Sequence, residues 1–68
     1  MNAITDYTVI VLSTDDKRQV DSITDTIEKR AVAAADRRYP DKSNYIFETM
    51  TCDKDNNFLT IYPTVFGV

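Results

Sequence analysis

Histidine, glycine and cysteine are scarce in this chain of 68 residues, which contains no His, one Gly and one Cys. The absence of histidine excludes Ser-His-Asp and Cys-His catalysis, as well as His-containing zinc sites. The lone Gly67 cannot build P-loops or dinucleotide-binding loops, which need several glycines close to the phosphates. Cys52 has no partner for an internal disulfide and is expected to be a small buried residue. We therefore predict no catalytic residue, no metal site and no cofactor.

Long apolar runs and a basic excess are also missing. No segment approaches the roughly 18 apolar residues that span a bilayer, and no basic region precedes the short apolar segment near the N-terminus. We therefore expect a soluble, cytoplasmic protein without membrane contact. Eight Lys and Arg stand against eleven Asp and Glu, which gives a net charge of −3. This balance argues against direct binding to nucleic acid, because such binding depends on neutralising phosphates.

The pattern of apolar residues predicts a single α+β domain over residues 1–68. A β-branched run predicts a first strand, and apolar residues spaced by three and four then predict an amphipathic helix that ends before Pro40. Two further strands flank the polar turn "DKDNN" as a hairpin. The expected bounds are about 6–13 for the first strand, 15–38 for the helix, 44–52 and 57–62 for the hairpin, and 63–68 for a C-terminal tail. The predicted order is β-α-β-β, with one helix on a three-stranded sheet. The strand order 1-3-2 would make this sheet wholly antiparallel, although Pro63 counts against a central last strand unless that strand ends at Tyr62.

Both faces of the predicted hairpin are apolar. An aliphatic set suits the helix stripe, and a second set on the alternate positions is aromatic. The aliphatic set is Ile46, Met50, Leu59 and Ile61, with Cys52 in line, and the aromatic set is Tyr45, Phe47, Phe58 and Tyr62. One helix covers only one face of a sheet, so we expect the aromatic set to lie on the uncovered face. Unless the tail "VFGV" folds over it, this face is predicted to bind a partner.

A protein is the expected partner of the aromatic face, because Tyr and Phe are enriched at protein interfaces. The partner is either a different protein or a second copy of this chain. Base stacking fits less well, since nucleic-acid-binding sheets carry Lys and Arg. The hairpin instead carries Glu48, Asp53 and Asp55 against the single Lys54.

Charged residues near the predicted helix allow several interpretations. Asp21, Asp25 and Glu28 are expected on its outer side. They form either a solvated surface, an acidic partner-binding surface that could imitate nucleic-acid phosphates, or a cation or acid-base site. The "RRYPDK" cluster either complements the helix dipole or contacts an acidic partner. The loop "DKDNN" starts like an EF-hand but has Phe58 where glycine is required, so a turn is predicted.

In plan, the β-α-β-β order and the helix closing in "AVAAADRRYP" resemble small bacteriophage-encoded inhibitors, a group that includes anti-CRISPR proteins and the T7 inhibitor of bacterial RNA polymerase. The resemblance implies a non-catalytic inhibitor that blocks a host enzyme or nucleic-acid-processing complex by stoichiometric binding in the bacterial cytoplasm. The T7 inhibitor uses arginines on its last strand, and "NFLTIYPTVF" has none, so no functional residue is carried over. The alternative is a homo-oligomeric accessory protein.

Overall fold

The computed structural model of the chain describes residues 3–66, which form four strands and one helix in the order β-β-α-β-β. The strands are β1 (Asp6–Ser13), β2 (Gln19–Asp25), β3 (Tyr45–Cys52) and β4 (Phe58–Pro63), and the helix is α1 (Glu28–Arg38). The strands form one sheet in the order β2-β1-β3-β4, and all neighbours are antiparallel. The α+β class is confirmed, with four strands instead of the predicted three. No helix within residues 3–66 is long and apolar enough to cross a bilayer.

A β-hairpin replaces the first half of the predicted helix, so the helix bounds of 15–38 are wrong. The Ser13 N–H donates to the Arg18 carbonyl at 2.9 Å, and the Lys17 N–H donates to the Ser13 carbonyl at 2.9 Å. Lys17 has a φ of 61°, in the left-handed region used by tight turns. Ser and Asp satisfy backbone groups in turns as readily as at helix N-caps, which is why "STDD" predicted the wrong element.

The strand β2 has one buried apolar residue, Ile23, which packs in the core. Val20 and Ile27 share a helical spacing with Ile23, but their exposed fractions are 40% and 46%. The spacing of three and four residues in this segment is therefore not a packing stripe. The strand pairs with β1 along nearly its whole length, with a bulge near Leu12.

The helix α1 begins after Ile27, whose N–H is bound by the Asp25 carboxylate at 3.0 Å. It ends at Arg38, as predicted, where the Tyr39 N–H donates to the Ala35 carbonyl at 2.9 Å. Its 11 residues span about 16 Å, and they pack over β1 and β2. The half of the sheet formed by β3 and β4 is therefore not beneath the helix axis.

The core lies between α1 and one face of the sheet. Small helix residues, Ala31 and Ala35, meet Val9 and Val11 of β1, and all four are fully buried. Phe47 pairs with Val11 across the β1–β3 ladder and therefore shares this face. The helix lies over β1 and β2 and has small residues on its buried side. The Phe47 and Tyr45 rings of β3 fill the space beside it, because protein interiors are densely packed.

The predicted assignment of the two sheet faces is therefore inverted. Phe47 lies in the core, Tyr45 packs against it, and Tyr62 pairs with buried Thr49 on the same side. The aliphatic residues of β3 and β4 lie on the opposite side. Alternation cannot choose between two faces that are both apolar. The aliphatic set was assigned to a 24-residue helix that the chain does not form.

The last strand, β4, is an edge strand and not the centre of the sheet, which explains why Pro63 is tolerated at its end. Beyond it, the Thr64 N–H donates to the Phe47 carbonyl at 3.1 Å, and the Phe66 ring lies 5.2 Å from the Phe47 ring. The described part of the tail thus lies on the helix side and does not cover the other face. Residues 67–68 of the predicted tail lie outside the described residues.

Candidate functional site

The side of the sheet opposite α1, here called the open face, is not covered by any helix or strand within residues 3–66. Its composition follows from the ladder register, in which Ile10 pairs with Glu48 and Met50 pairs with Thr8 and Ile61. The side chains on this face are Asp6, Thr8, Ile10 and Leu12 of β1, Ser22 and Thr24 of β2, Ile46, Glu48, Met50 and Cys52 of β3, and Ile61 and Pro63 of β4.

The open face divides into a polar margin and an apolar centre. At the β2 margin the hydroxyls of Thr8 and Thr24 share a hydrogen bond of 2.8 Å. The apolar centre comprises Ile10, Leu12, Ile46 and Met50, which are half-buried by their neighbours in the sheet, and Ile61, which is 48% exposed. Phe58 pairs with Cys52 past a bulge at one end of this face and is 58% exposed. A contiguous apolar surface of this kind is typical of an interaction site.

A single carboxylate, Glu48, lies within the apolar centre. Ile46 and Met50 flank it along β3, and Ile10 and Pro63 are its partners on the neighbouring strands. Within residues 3–66 its side chain makes no hydrogen bond or ion pair. All eight basic residues lie outside the strands: Lys17, Arg18, Lys29, Arg30, Arg37, Arg38, Lys42 and Lys54.

Three of the four predicted aromatic contact residues lie on the helix side. Phe47 is 7% exposed, and the Tyr45 ring lies 4.8 Å from the Tyr39 ring. The Tyr62 hydroxyl donates to the Glu28 carboxylate. Burial, and then the bond to Glu28, raise the pKa of Tyr62 to about 12. Of the predicted aromatic set, Phe58 alone is on the exposed surface.

The predicted acidic residues do not share one helix side either. Asp21 lies in β2, where it accepts hydrogen bonds from the Tyr39 hydroxyl at 2.9 Å and Arg38 Nη1 at 3.3 Å. The Tyr39 bond, the Ser22 amide and Arg38 hold the pKa of Asp21 below its ordinary value of 3.8. Asp25 is the last residue of β2, and its carboxylate accepts a hydrogen bond from the Ile27 N–H just before α1. Glu28 is the first residue of α1. All three carboxylates therefore have structural contacts.

Two of the three basic residues in "RRYPDK" form ion pairs within the chain. Arg38 pairs with Asp21, and Lys42 pairs with Asp36. The Lys42 ammonium also lies 5.5 Å from the Phe47 ring and 5.0 Å from the Phe66 ring. These contacts tie the end of α1 to β2 and to the tail.

The predicted turn after β3 is confirmed. Asp53 is 1% exposed, and its carboxylate accepts hydrogen bonds from the Asp55 and Asn57 amides at 2.9 Å each. Asn56 completes the turn with a φ of 64°. The part of the chain that the structure describes has no group of three or more His, Cys, Asp or Glu side chains arranged to hold a metal ion.

Sequence reasoning missed Glu48 and the aliphatic centre as the exposed surface. The available signal was a charged residue at an alternate position between Ile46 and Met50, in strands without any Lys or Arg. In comparisons with known proteins, no family model, curated protein or solved structure matches this chain. The candidate site is therefore argued from the geometry of the open face alone.

Proposed function

We propose that this protein is a non-catalytic binding module that docks another protein on its open face. One observation carries the proposal: an apolar centre of five aliphatic side chains lies on a sheet face that no helix or strand within residues 3–66 covers. Covering such a surface removes apolar area from water, at roughly 25 cal/mol per Å² before the costs of association.

The size of the open face fits a small interaction site. The four strands are separated by about 4.8 Å, and the eight residues of β3 rise by about 3.3 Å each, so the face measures about 14 Å by 26 Å. This footprint of about 360 Å² includes the polar margin as well as the apolar centre, and exposed apolar patches of a few hundred Å² are often functional. It is also smaller than the roughly 800 Å² that each partner buries in a standard interface. A few well-fitted anchors must therefore supply the affinity.

An inhibitor that blocks a host enzyme or a nucleic-acid-processing complex by stoichiometric contact would act through such a surface. This narrower proposal is supported by the small size and acidic balance of the chain. The β-β-α-β-β order, however, differs from the β-α-β-β plan on which the resemblance to phage inhibitors rests. The alternative proposal is an accessory protein that self-associates through the same face.

The test compares three variants of the full chain, each immobilised and exposed to a bacterial lysate. Met50→Gln and Ile46→Thr make the open face polar while keeping side chains of similar size. Ile27→Thr is the matched control, because Ile27 is a 46% exposed aliphatic residue outside the strands. Proteins retained by wild type and by the control are then purified and titrated by calorimetry.

We expect a partner that binds one to one and loses at least about ten-fold in affinity with either open-face variant, as for anchors at the centre of an interface. Circular dichroism checks that each variant is folded. A partner that binds Met50→Gln and Ile46→Thr as tightly as wild type would reject the open face as the docking surface.

A further inference from the structure

Glu48 restricts the kind of partner that can cover the open face. Its carboxylate lies among Ile10, Ile46 and Met50 and has no partner within residues 3–66. A protein that covers these aliphatic residues also removes the carboxylate from water. That desolvation is costly unless a group of opposite charge, or several hydrogen-bond donors, replaces the lost water.

We infer that the partner places a Lys or Arg side chain against Glu48, inside an otherwise apolar contact. This inference rests on the proposed function and names the chemistry of its partner at the same site. Arg fits especially well, because its guanidinium can donate two parallel hydrogen bonds to one carboxylate and Arg is enriched at interfaces.

A second copy of the chain does not meet this requirement. No residue of the four strands is Lys or Arg, so two open faces in contact bring carboxylates and apolar groups together but no cation. Like charges juxtaposed at an interface oppose association. Glu48 therefore discriminates against self-pairing as well as selecting a cationic partner.

The lysines that flank Glu48 in the chain are also out of reach. Lys42 and Lys54 are each six residues from Glu48 in the chain and lie in the turns before and after β3. Lys42 is bonded to Asp36 and lies over Phe47 on the helix side. In a symmetric pair of copies joined by their open faces, Lys42 of the second copy also lies on the helix side, away from the contact.

The Glu48→Lys variant of the full chain is a probe of this chemistry, because it presents the same apolar face with a central cation. We expect an equimolar mixture of wild-type and Glu48→Lys chains to form a heterodimer in sedimentation equilibrium. Its affinity should exceed the self-association of either chain by at least about ten-fold and should fall with added salt. Asp55→Lys, with the same charge change in an exposed turn, is the matched control and should give no such pairing.

A second measurement does not depend on how the Lys variant folds. Glu48→Gln keeps the shape of the side chain and removes its charge, so it should self-associate more strongly than wild type. Asp55→Asn removes one charge outside the open face and should behave like wild type. Circular dichroism verifies the fold of all four variants.

Three results would overturn the inference. The first is equal association of wild type with Glu48→Lys and with Asp55→Lys, or equal behaviour of Glu48→Gln and Asp55→Asn. The second is a wild-type dimer that Met50→Gln dissociates, which would make the second copy the occupant. A lysate partner lost from Met50→Gln but held equally by Glu48→Gln would reject the cationic contact while supporting the proposed function.

Discussion

At the scale of single residues, two tyrosine hydroxyls connect elements that are distant in the chain. Tyr62 on β4 donates to Glu28 at the start of α1, and Tyr39 after α1 donates to Asp21 on β2. Both bonds join a phenol to a carboxylate, and such bonds to charged acceptors are stronger than neutral ones. Tyr62 was predicted to lie on the uncovered face, because alternation alone does not show which face of the sheet is covered.

The bond from Tyr62 makes stability depend on alkaline pH. Burial, followed by Glu28, raises the pKa of Tyr62 from 10.0 to about 12, so the folded state holds the proton more tightly than the unfolded state. Its contribution is complete below pH 10 and is lost as pH rises from about 10 to about 12. Urea unfolding between pH 7 and 12 should therefore show a decline that is smaller in Tyr62→Phe.

At pH 7 the same Tyr62→Phe substitution should cost about 1 kcal/mol, the usual value of one hydrogen bond. Tyr45→Phe is the control, since the Tyr45 hydroxyl makes no hydrogen bond within residues 3–66. Identical alkaline profiles for wild type and Tyr62→Phe would show that the contact with Glu28 does not form.

Asp53 is the residue on which the β3–β4 turn depends. Its buried carboxylate accepts hydrogen bonds from the Asp55 and Asn57 amides. Asp53→Ala should lower the free energy of unfolding by about 2 kcal/mol, because it leaves two partly buried amide donors without their acceptor. Asp55→Ala, in the exposed part of the same turn, should change it far less. Thermal and urea unfolding measure both, and equal effects would contradict the assignment.

At the scale of elements, the segment that differs most from expectation is β2. The sequence predicts the strand Asp6–Ser13, the end of the helix at Arg38 and the hairpin around "DKDNN", and all three are present. Each has strong local determinants, such as a β-branched run, a following proline or turn formers. The segment "QVDSITD" has only one core residue, Ile23, so its strand state depends on pairing with β1. The spacing of apolar residues within one segment does not show whether that segment pairs with another strand.

Substitutions in this segment distinguish a strand from a helix. Ile23→Ala should destabilise the protein by about 3 kcal/mol, because it opens a cavity in the core. Val20→Ala and Ile27→Ala should each cost much less, since both residues are exposed. Urea unfolding of the three variants provides the comparison. Similar costs for all three would support the helical stripe that the sequence predicted.

The candidate site was only partly predictable for the same reason. An uncovered face on a sheet with one helix follows from the number of elements, and this expectation holds within residues 3–66. The choice between the two faces depends on the volume left beside α1, which the aromatic rings of β3 and β4 fill. That volume is a property of the assembled layers and is not encoded in any one strand.

At the scale of the whole molecule, the described chain is two layers thick, with Cα extents of 37 × 24 × 15 Å. Its core is one-sided, since the buried cluster lies between α1 and the sheet. The core thus lies on one face of the strands, and the proposed binding surface lies on the other. Changes on the open face can alter binding without disturbing the core.

This separation can be measured with variants on adjacent strands. Met50→Gln on the open face should change the free energy of unfolding by less than about 1 kcal/mol, whereas Val11→Ala in the core should cost about 2 kcal/mol. Wild type and Met50→Gln should both sediment as monomers. A larger loss of stability from Met50→Gln than from Val11→Ala would contradict the assignment of the core to the helix side of the sheet.

Every Lys and Arg lies in the turns, in α1 or beside them, and this distribution determines where proteases can cleave the folded chain. Trypsin cleaves after Lys and Arg, so it has no cleavage site inside any described strand and can cut the hairpin tip at Lys17 or Arg18 while the sheet is intact. A glutamate-specific protease has only Glu28 and Glu48 as sites, and the second lies within β3 between two paired strands. Cleavage after Glu48 therefore requires the sheet to open, and its rate reports global unfolding, whereas tryptic nicking at the tip reports only local motion.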